Sequence, residues 1–130
     1  MRTKAHPYHL KRGDGKTYDI GIDVVVKAGE ARSSNGAAVI EFVTGKGEEP
    51  GDHVHETEDE MFYVLDGPIT FVCDGRRFEA RTGSFVFLPR GLSHNYIVRS
   101  QKPVHLLVIT TPPRKDKKGW GGFVGDFEGS

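Results

Sequence analysis

The sequence contains a single cysteine, Cys73, among its 130 residues. One thiol excludes an internal disulfide and is typical of proteins kept in a reducing compartment. Because no histidine lies beside Cys73 in the sequence, we interpret it as a buried strand residue and not as a nucleophile. The first ten residues also lack the apolar stretch of a secretion signal. We therefore expect a cytoplasmic protein.

An excess of charge of one sign is missing as well. The 18 Lys and Arg residues balance the 18 Asp and Glu residues, so the formal net charge at pH 7 is +0. Without a basic field, the chain is not expected to bind nucleic acid or an anionic membrane. No apolar run approaches the roughly 18 residues of a membrane-spanning helix. We predict a small-molecule substrate, with no nucleic acid and no membrane as partner.

The abundant residues favour β-structure. There are 17 glycines and 7 prolines, and valine, isoleucine, phenylalanine and threonine are frequent, which is typical of an all-β domain of short strands and tight turns. No segment has a helical period of useful length and no internal repeat is present. We expect about eight or nine strands, including one that carries His53 and His55. The other candidate strands are Tyr18–Lys27, Ala37–Thr44, Met61–Leu65, Ile69–Cys73, Arg76–Ala80, Ser84–Leu88, His94–Val98 and Val104–Thr111.

Two Asp-Gly dipeptides separate consecutive candidate strands. Asp66-Gly67 follows Met61–Leu65, and Asp74-Gly75 follows Ile69–Cys73. Asp-Gly is a preferred pair for two-residue hairpin turns with positive φ. The sequence therefore predicts a hairpin at each dipeptide.

Three histidines and one glutamate lie among turn residues in the middle of the chain. His53 and His55 are two residues apart, so on a strand both side chains point to the same face. Glu60 opens an apolar run after a polar stretch, and His94 opens another after a Pro-Arg-Gly turn. Three neutral nitrogens and one carboxylate suit a divalent first-row metal, with positions left open for water or substrate. A second interpretation leaves Glu60 as a free carboxylate base and the metal on the three histidines.

These residues stand in two motifs that resemble those of the cupin family. The motifs read Gly47-x5-His53-x-His55-x4-Glu60-x6-Gly67 and Gly83-x5-Pro89-x-Gly91-x2-His94. The second motif of the family often ends on Asn, where this chain has Val98, but that position does not ligate the metal. The resemblance implies an all-β, single-domain cupin barrel, which is a double-stranded β-helix or jelly roll with the metal inside one end.

The resemblance also indicates how the chain is organised around the barrel. We expect an N-terminal arm at residues 1–16, the barrel at 17–112 and a C-terminal tail at 113–130. His6 and His9 are interpreted as solvated residues of the arm. The tail would pack Trp120, Phe123 and Phe127 on the barrel or on a partner subunit, or else be only partly ordered. Single-domain cupins commonly dimerise, which implies a homodimer.

Three functions are open to such a protein, because the fold does not define the reaction. The first is a metal-dependent dioxygenase similar to quercetin-dioxygenase-like cupins, acting on a small aromatic or enolisable substrate. One divalent metal (Fe, Mn, Ni, Co, Cu or Zn) would be held by His53, His55, Glu60 and His94, and Glu60 would also be the catalytic residue, as general base. The second is a non-redox isomerase, epimerase, lyase or polyketide cyclase. The third is a non-catalytic protein that binds a small molecule.

The remaining polar and aromatic residues receive simpler interpretations. We expect His105 to be a barrel histidine with satisfied hydrogen bonds, sharing a face with apolar residues. Four acidic neighbours of the motif are expected to face solvent: Asp52, Glu56, Glu58 and Asp59. Five aromatic residues are expected in the core, some of them lining the cavity: Phe62, Tyr63, Phe71, Phe85 and Tyr96.

Overall fold

A computed structural model describes residues 7–29 and 37–111, and within these ranges the chain forms ten strands and no helix. The strands are β1 (Lys16–Asp19), β2 (Asp23–Ala28), β3 (Ala38–Thr44), β4 (His53–Val54), β5 (Asp59–Asp66), β6 (Ile69–Cys73), β7 (Arg76–Ala80), β8 (Phe85–Leu88), β9 (Ser93–Ile97) and β10 (Val104–Thr111). The predicted all-β class is confirmed. No helix in the described ranges is long and apolar enough to cross a membrane.

The strands form two sheets in which every pair is antiparallel. One sheet has six strands in the order β1-β2-β3-β10-β5-β8, and the other has four in the order β4-β9-β6-β7. Neighbours in the sheets are distant in sequence, as where β10 lies between β3 and β5. This exchange of strands between two sheets is the expected jelly-roll, or double-stranded β-helix, architecture.

The hydrophobic core lies between the sheets because apolar residues alternate along the strands. On β10, Val104, Leu106 and Val108 are buried, whereas the residues between them are half-buried. The cluster that these residues join contains buried side chains of both sheets. An alternation of this kind is what places one face of each strand inside.

The core aromatic residues come from both sheets. The rings of Phe62 and Phe71 lie 4.9 Å apart, and Tyr96 lies 6.2 to 6.3 Å from both. These three confirm the sequence prediction. The prediction was wrong for Tyr63 and Phe85, which are 44% and 60% exposed. Both point away from the core, because they alternate with the buried residues of β5 and β8.

Only one of the two predicted Asp-Gly hairpins is present. Asp74 and Gly75 have φ of 51° and 77° and connect the paired residues Cys73 and Arg76, as in a two-residue turn with both φ positive. Asp66-Gly67 instead links β5 to β6, which lie in different sheets. The prediction of a hairpin at Asp66-Gly67 was therefore wrong. The next residue, Pro68, also has no N–H to donate to a strand ladder.

The predicted single strand Tyr18–Lys27 is a hairpin of two strands. The chain turns between Asp19 and Asp23, which pair directly. Gly21 has a φ of 101° and donates its N–H to Asp19 Oδ1 over 2.9 Å. The Asp-x-Gly turn signal therefore outweighs the continuous β-branched run.

Predictions for the ends of the chain are only partly covered by the structure. His9 is exposed, as expected for the arm. His6 and the tail at 113–130, with Trp120, Phe123 and Phe127, lie outside the described residues.

Candidate metal centre

The four predicted ligands meet between the two sheets. His53 on β4 pairs directly with His94 on β9 in the four-stranded sheet. Glu60, the second residue of β5, belongs to the six-stranded sheet. His55 follows β4 immediately and is not part of the strand. One ligand atom from each of these four residues can be chosen so that all lie within 4.8 Å of one another.

The glutamate lies between two of the imidazoles. His55 Nε2 is 3.2 Å from Glu60 Oε2, and His94 Nε2 is 3.5 Å from Glu60 Oε1. The ring centroids of the three histidines are separated by 4.4 to 5.2 Å. The four side chains therefore converge between the two sheets.

A backbone contact orients His53. Its Nδ1 lies 2.8 Å from the carbonyl oxygen of Gly51, which can only accept, so Nδ1 carries the proton and Nε2 keeps its lone pair. Burial lowers the pKa of His53, the Gly51 contact raises it and the nearby His94 lowers it, with a net decrease from 6.5. The neutral form that a metal requires is therefore favoured.

The site leaves buried polar atoms without partners. Glu60 is 2% and His94 3% exposed. No hydrogen bond from the described residues satisfies Glu60 Oε2 or either ring nitrogen of His94. Buried polar atoms without partners are costly, and a cation bound between them would remove that cost. Three imidazoles and one carboxylate are a donor set that suits divalent first-row metals, so the residues fit such an ion.

Two interactions join the loops that carry the ligands. Arg90, in the turn before β9, donates its backbone N–H to Asp59 Oδ1 over 2.9 Å, and its guanidinium binds both carboxylate oxygens at 3.2 and 3.0 Å. The backbone N–H of Gly91 donates to the carbonyl of His55 over 2.8 Å. The hydrogen bonds from Arg90 lower the pKa of Asp59. Asp59 is therefore a connecting residue, and not the solvent-facing one that the sequence predicted.

Glu58 was also predicted to face solvent, and this prediction was wrong. Its side chain is fully buried, with Oε1 3.0 Å from His55 Nδ1. The period of two was a signal for this position, because Glu58 is followed at that interval by the buried residues Glu60 and Phe62. The exposed Asp52 and Glu56 agree with the prediction.

His105 and Cys73 lie apart from this cluster. His105 is half-buried, and its Nε2 contacts Glu41 Oε2. This contact satisfies the hydrogen bonding of His105, as predicted. The side chain lies on the face of β10 opposite to the core residues. Cys73 is buried as predicted, and burial raises the pKa of its thiol.

Comparisons with known proteins agree with the fold and the motifs. The cupin domain model matches residues 40–110, more than half of the chain. The chain is 32% identical over 97 residues to the quercetin 2,3-dioxygenase of Bacillus subtilis, a match that covers 74% of this chain. It spans only 29% of the length of that enzyme.

Solved structures of low sequence identity share the fold. An RmlC-like cupin from Shewanella frigidimarina has a TM-score of 0.69 at 19% identity, covering 89% of this chain and 98% of that one. A predicted oxalate decarboxylase from Thermotoga maritima has a TM-score of 0.64 at 22% identity, covering 68% and 78%. With the family match across both motifs, these findings show that the chain belongs to the cupin family.

Proposed function

We propose that the protein is a metal-dependent dioxygenase of a small aromatic or enolisable organic substrate. The observation that carries this proposal is the cluster of His53, His55, Glu60 and His94, whose ligand atoms lie within 4.8 Å of one another. Similarity to a quercetin dioxygenase over 97 residues supports the choice of reaction. When bound, a divalent transition metal would supply Lewis acidity and, for Fe, Mn, Ni, Co or Cu, redox chemistry.

Glu60 is the residue best placed to move a proton. Its carboxylate oxygens lie beside two imidazoles, at 3.2 and 3.5 Å. As general base it takes the proton of a substrate hydroxyl, while the electron pair of the broken O–H bond stays on the substrate oxygen. Tyr96 does not compete for this role, because burial raises its pKa to about 12.

The core closes the inner side of the cluster. Phe62 is two residues from Glu60 on β5, and Tyr96 is two residues from His94 on β9, so each shares a strand face with a ligand. Their rings lie 6.3 Å apart and are buried. These rings keep water from the inner side, which strengthens the electrostatic interactions of Glu60.

The position of Glu60 also supports a second candidate function, a non-redox isomerase, epimerase, lyase or cyclase. Proton transfer by this carboxylate requires no dioxygen, and the metal would then act only as a Lewis acid. Such an enzyme should be active anaerobically and with zinc. A binding protein without turnover is the third candidate.

Metal analysis and oxygen consumption together test the proposal. Untagged protein purified without chelators should contain close to one Fe, Mn, Ni, Co or Cu per chain, and should consume oxygen with a flavonol or a simpler enolisable aromatic. Glu60→Gln should lower this rate by about 100-fold or more, whereas Glu56→Gln, at an exposed position, should not. Turnover that continues without oxygen in the zinc form would contradict the dioxygenase and favour the second candidate. Tight binding of the compound without turnover would favour the third.

We also propose that the protein forms a homodimer through the outer face of the six-stranded sheet. Tyr63, Phe85 and Phe87 are each about half exposed there, and Tyr63 pairs directly with Phe85. Three half-exposed aromatic side chains offer about 300 Å², a patch of the size found at interaction sites. Sedimentation equilibrium should give twice the chain mass, and Phe85→Ser with Phe87→Ser should weaken association. Ile20→Ser, an exposed aliphatic position on the β1–β2 turn, is the control, and a monomeric wild type would refute the proposal.

A further inference from the structure

Glu58 is the most completely buried carboxylate beside the candidate metal centre. Its side chain is 0% exposed, compared with 3% for the side chain of Glu60. Its only polar contact among the described residues is Oε1 to His55 Nδ1, at 3.0 Å, and no hydrogen bond from those residues satisfies either oxygen. A charge buried in this way is strongly destabilising unless a partner compensates it. The partner available here is the His55 ring.

The two nitrogens of His55 face two different carboxylates. Nδ1 faces Glu58 and Nε2 faces Glu60, at 3.0 and 3.2 Å. A carboxylate stabilises hydrogen on the ring nitrogen that it faces, and Glu58 is the nearer of the two carboxylates, so the ring form with hydrogen on Nδ1 is favoured. Nε2 is then the nitrogen directed at the metal position, and its basicity increases because Nδ1–H lies 3.0 Å from a negative group.

The three histidines differ in what contacts Nδ1, the ring nitrogen that does not face the metal position. For His53 the acceptor is the neutral carbonyl of Gly51, and for His94 no hydrogen bond to Nδ1 comes from the described residues. Within residues 7–29 and 37–111, only His55 has a carboxylate in that position. Glu58 and Glu60 together also bring two negative charges into the buried site, which a divalent cation neutralises.

From this arrangement we infer that Glu58 is a positioning residue: it holds His55 with Nδ1 as donor and Nε2 towards the metal, and raises the affinity of the site for a divalent cation. This inference depends on the proposed metal site but not on the dioxygenase reaction. Partners of this kind typically contribute 10- to 100-fold to metal affinity.

The inference makes opposite predictions for the metal-bound and metal-free protein. Glu58→Gln keeps the size of the side chain and removes its charge. Zn²⁺ and Co²⁺ affinity, measured by chelator competition, should fall by about 10- to 100-fold. The metal-free variant should unfold at the same temperature as the wild type or higher, because one of the two buried carboxylates beside His55 is removed. Glu56→Gln, with the same charge change at an exposed position, should leave both quantities unchanged.

A second measurement does not depend on the folding of the Glu58→Gln variant. A long-range ¹H–¹⁵N spectrum of metal-free wild-type protein at about pH 8 should show hydrogen on Nδ1 of His55, with a His55→Gln variant used only for assignment. Hydrogen on Nε2 alone would overturn the inference, as would Glu58→Gln affinities equal to those of Glu56→Gln. A wild type that binds no metal would refute the proposed metal-dependent function, and the tautomer would still decide the role of Glu58. If Glu58→Gln binds metal more weakly and the wild type consumes no oxygen, the role of Glu58 is supported and the dioxygenase proposal is refuted.

Discussion

Replacing Glu41 with glutamine should destabilise the six-stranded sheet in a pH-dependent manner. Glu41 lies on β3, and its Oε1 is 2.9 Å from Lys27 Nζ on β2 while its Oε2 contacts His105 Nε2 on β10. Lys27 also donates to the carbonyl of Asp14 over 2.5 Å, in the loop before β1. One carboxylate therefore connects three adjacent strands and a loop.

The expected loss follows from the partial burial of this network. The side chains of Lys27, Glu41 and His105 are 18%, 11% and 25% exposed, so solvent screens the pairs less than it screens pairs on an open surface. Losing both charged contacts should cost about 1–3 kcal/mol. For a domain of this size, each kcal/mol lowers the melting temperature by roughly 4 °C.

The direction of the pH dependence comes from the pKa of Glu41. Burial acts to raise it, but Lys27 and His105 outweigh burial and leave the pKa below its ordinary value of 4.5. Because the folded pKa is the lower one, the contribution is fully present above the unfolded pKa and is lost as pH falls through the folded value. The stability difference between wild type and Glu41→Gln should therefore be largest above about pH 5 and shrink below pH 4.5.

Urea unfolding of both proteins across this pH range is the assay, with Glu56→Gln as the control for charge removal on an exposed residue. A difference that stays constant between about pH 6 and pH 3 would show that Glu41 acts through packing and not through its charge. A variant as stable as the wild type at pH 6 would refute the network altogether.

Substitutions at three further positions test the site and the core. His94→Ala should lower metal affinity by about 100-fold or more in chelator competition while the far-ultraviolet circular dichroism stays unchanged; an unfolded variant would mean that His94 is structural. Phe71→Ala, which empties a fully buried position 4.9 Å from the Phe62 ring, should cost about 3–5 kcal/mol in urea unfolding, and a cost below about 1 kcal/mol would contradict the described packing. Asp59→Ala removes three hydrogen bonds from Arg90 and should lower the free energy of unfolding by about 1–2 kcal/mol. Asp59→Asn keeps an acceptor for the backbone N–H of Arg90 and should lower it less. Equal losses of stability in the two variants would show that the backbone contact contributes nothing.

The four residues of the candidate metal centre can be predicted from the sequence because their spacing is local. His53 and His55 are two residues apart, and Glu60 and His94 each follow turn residues and are the second residue of a strand. The residues that support them were not found in the same way. Glu58 and Asp59 were interpreted as solvated acids, because a run of acidic residues in a polar loop is ordinarily exposed.

Sequence alone determined the all-β class, most of the strands and the four residues that converge, because strand period, turn chemistry and ligand type are properties of short segments. Only the tertiary structure decided which sheet each strand joins, and hence that Asp66-Gly67 crosses between sheets while Asp74-Gly75 forms a hairpin. It also decided that Glu58 is buried against His55 and that Arg90 reaches Asp59, 31 residues away. Contacts of this kind depend on how distant segments pack, and packing is a property of the whole barrel.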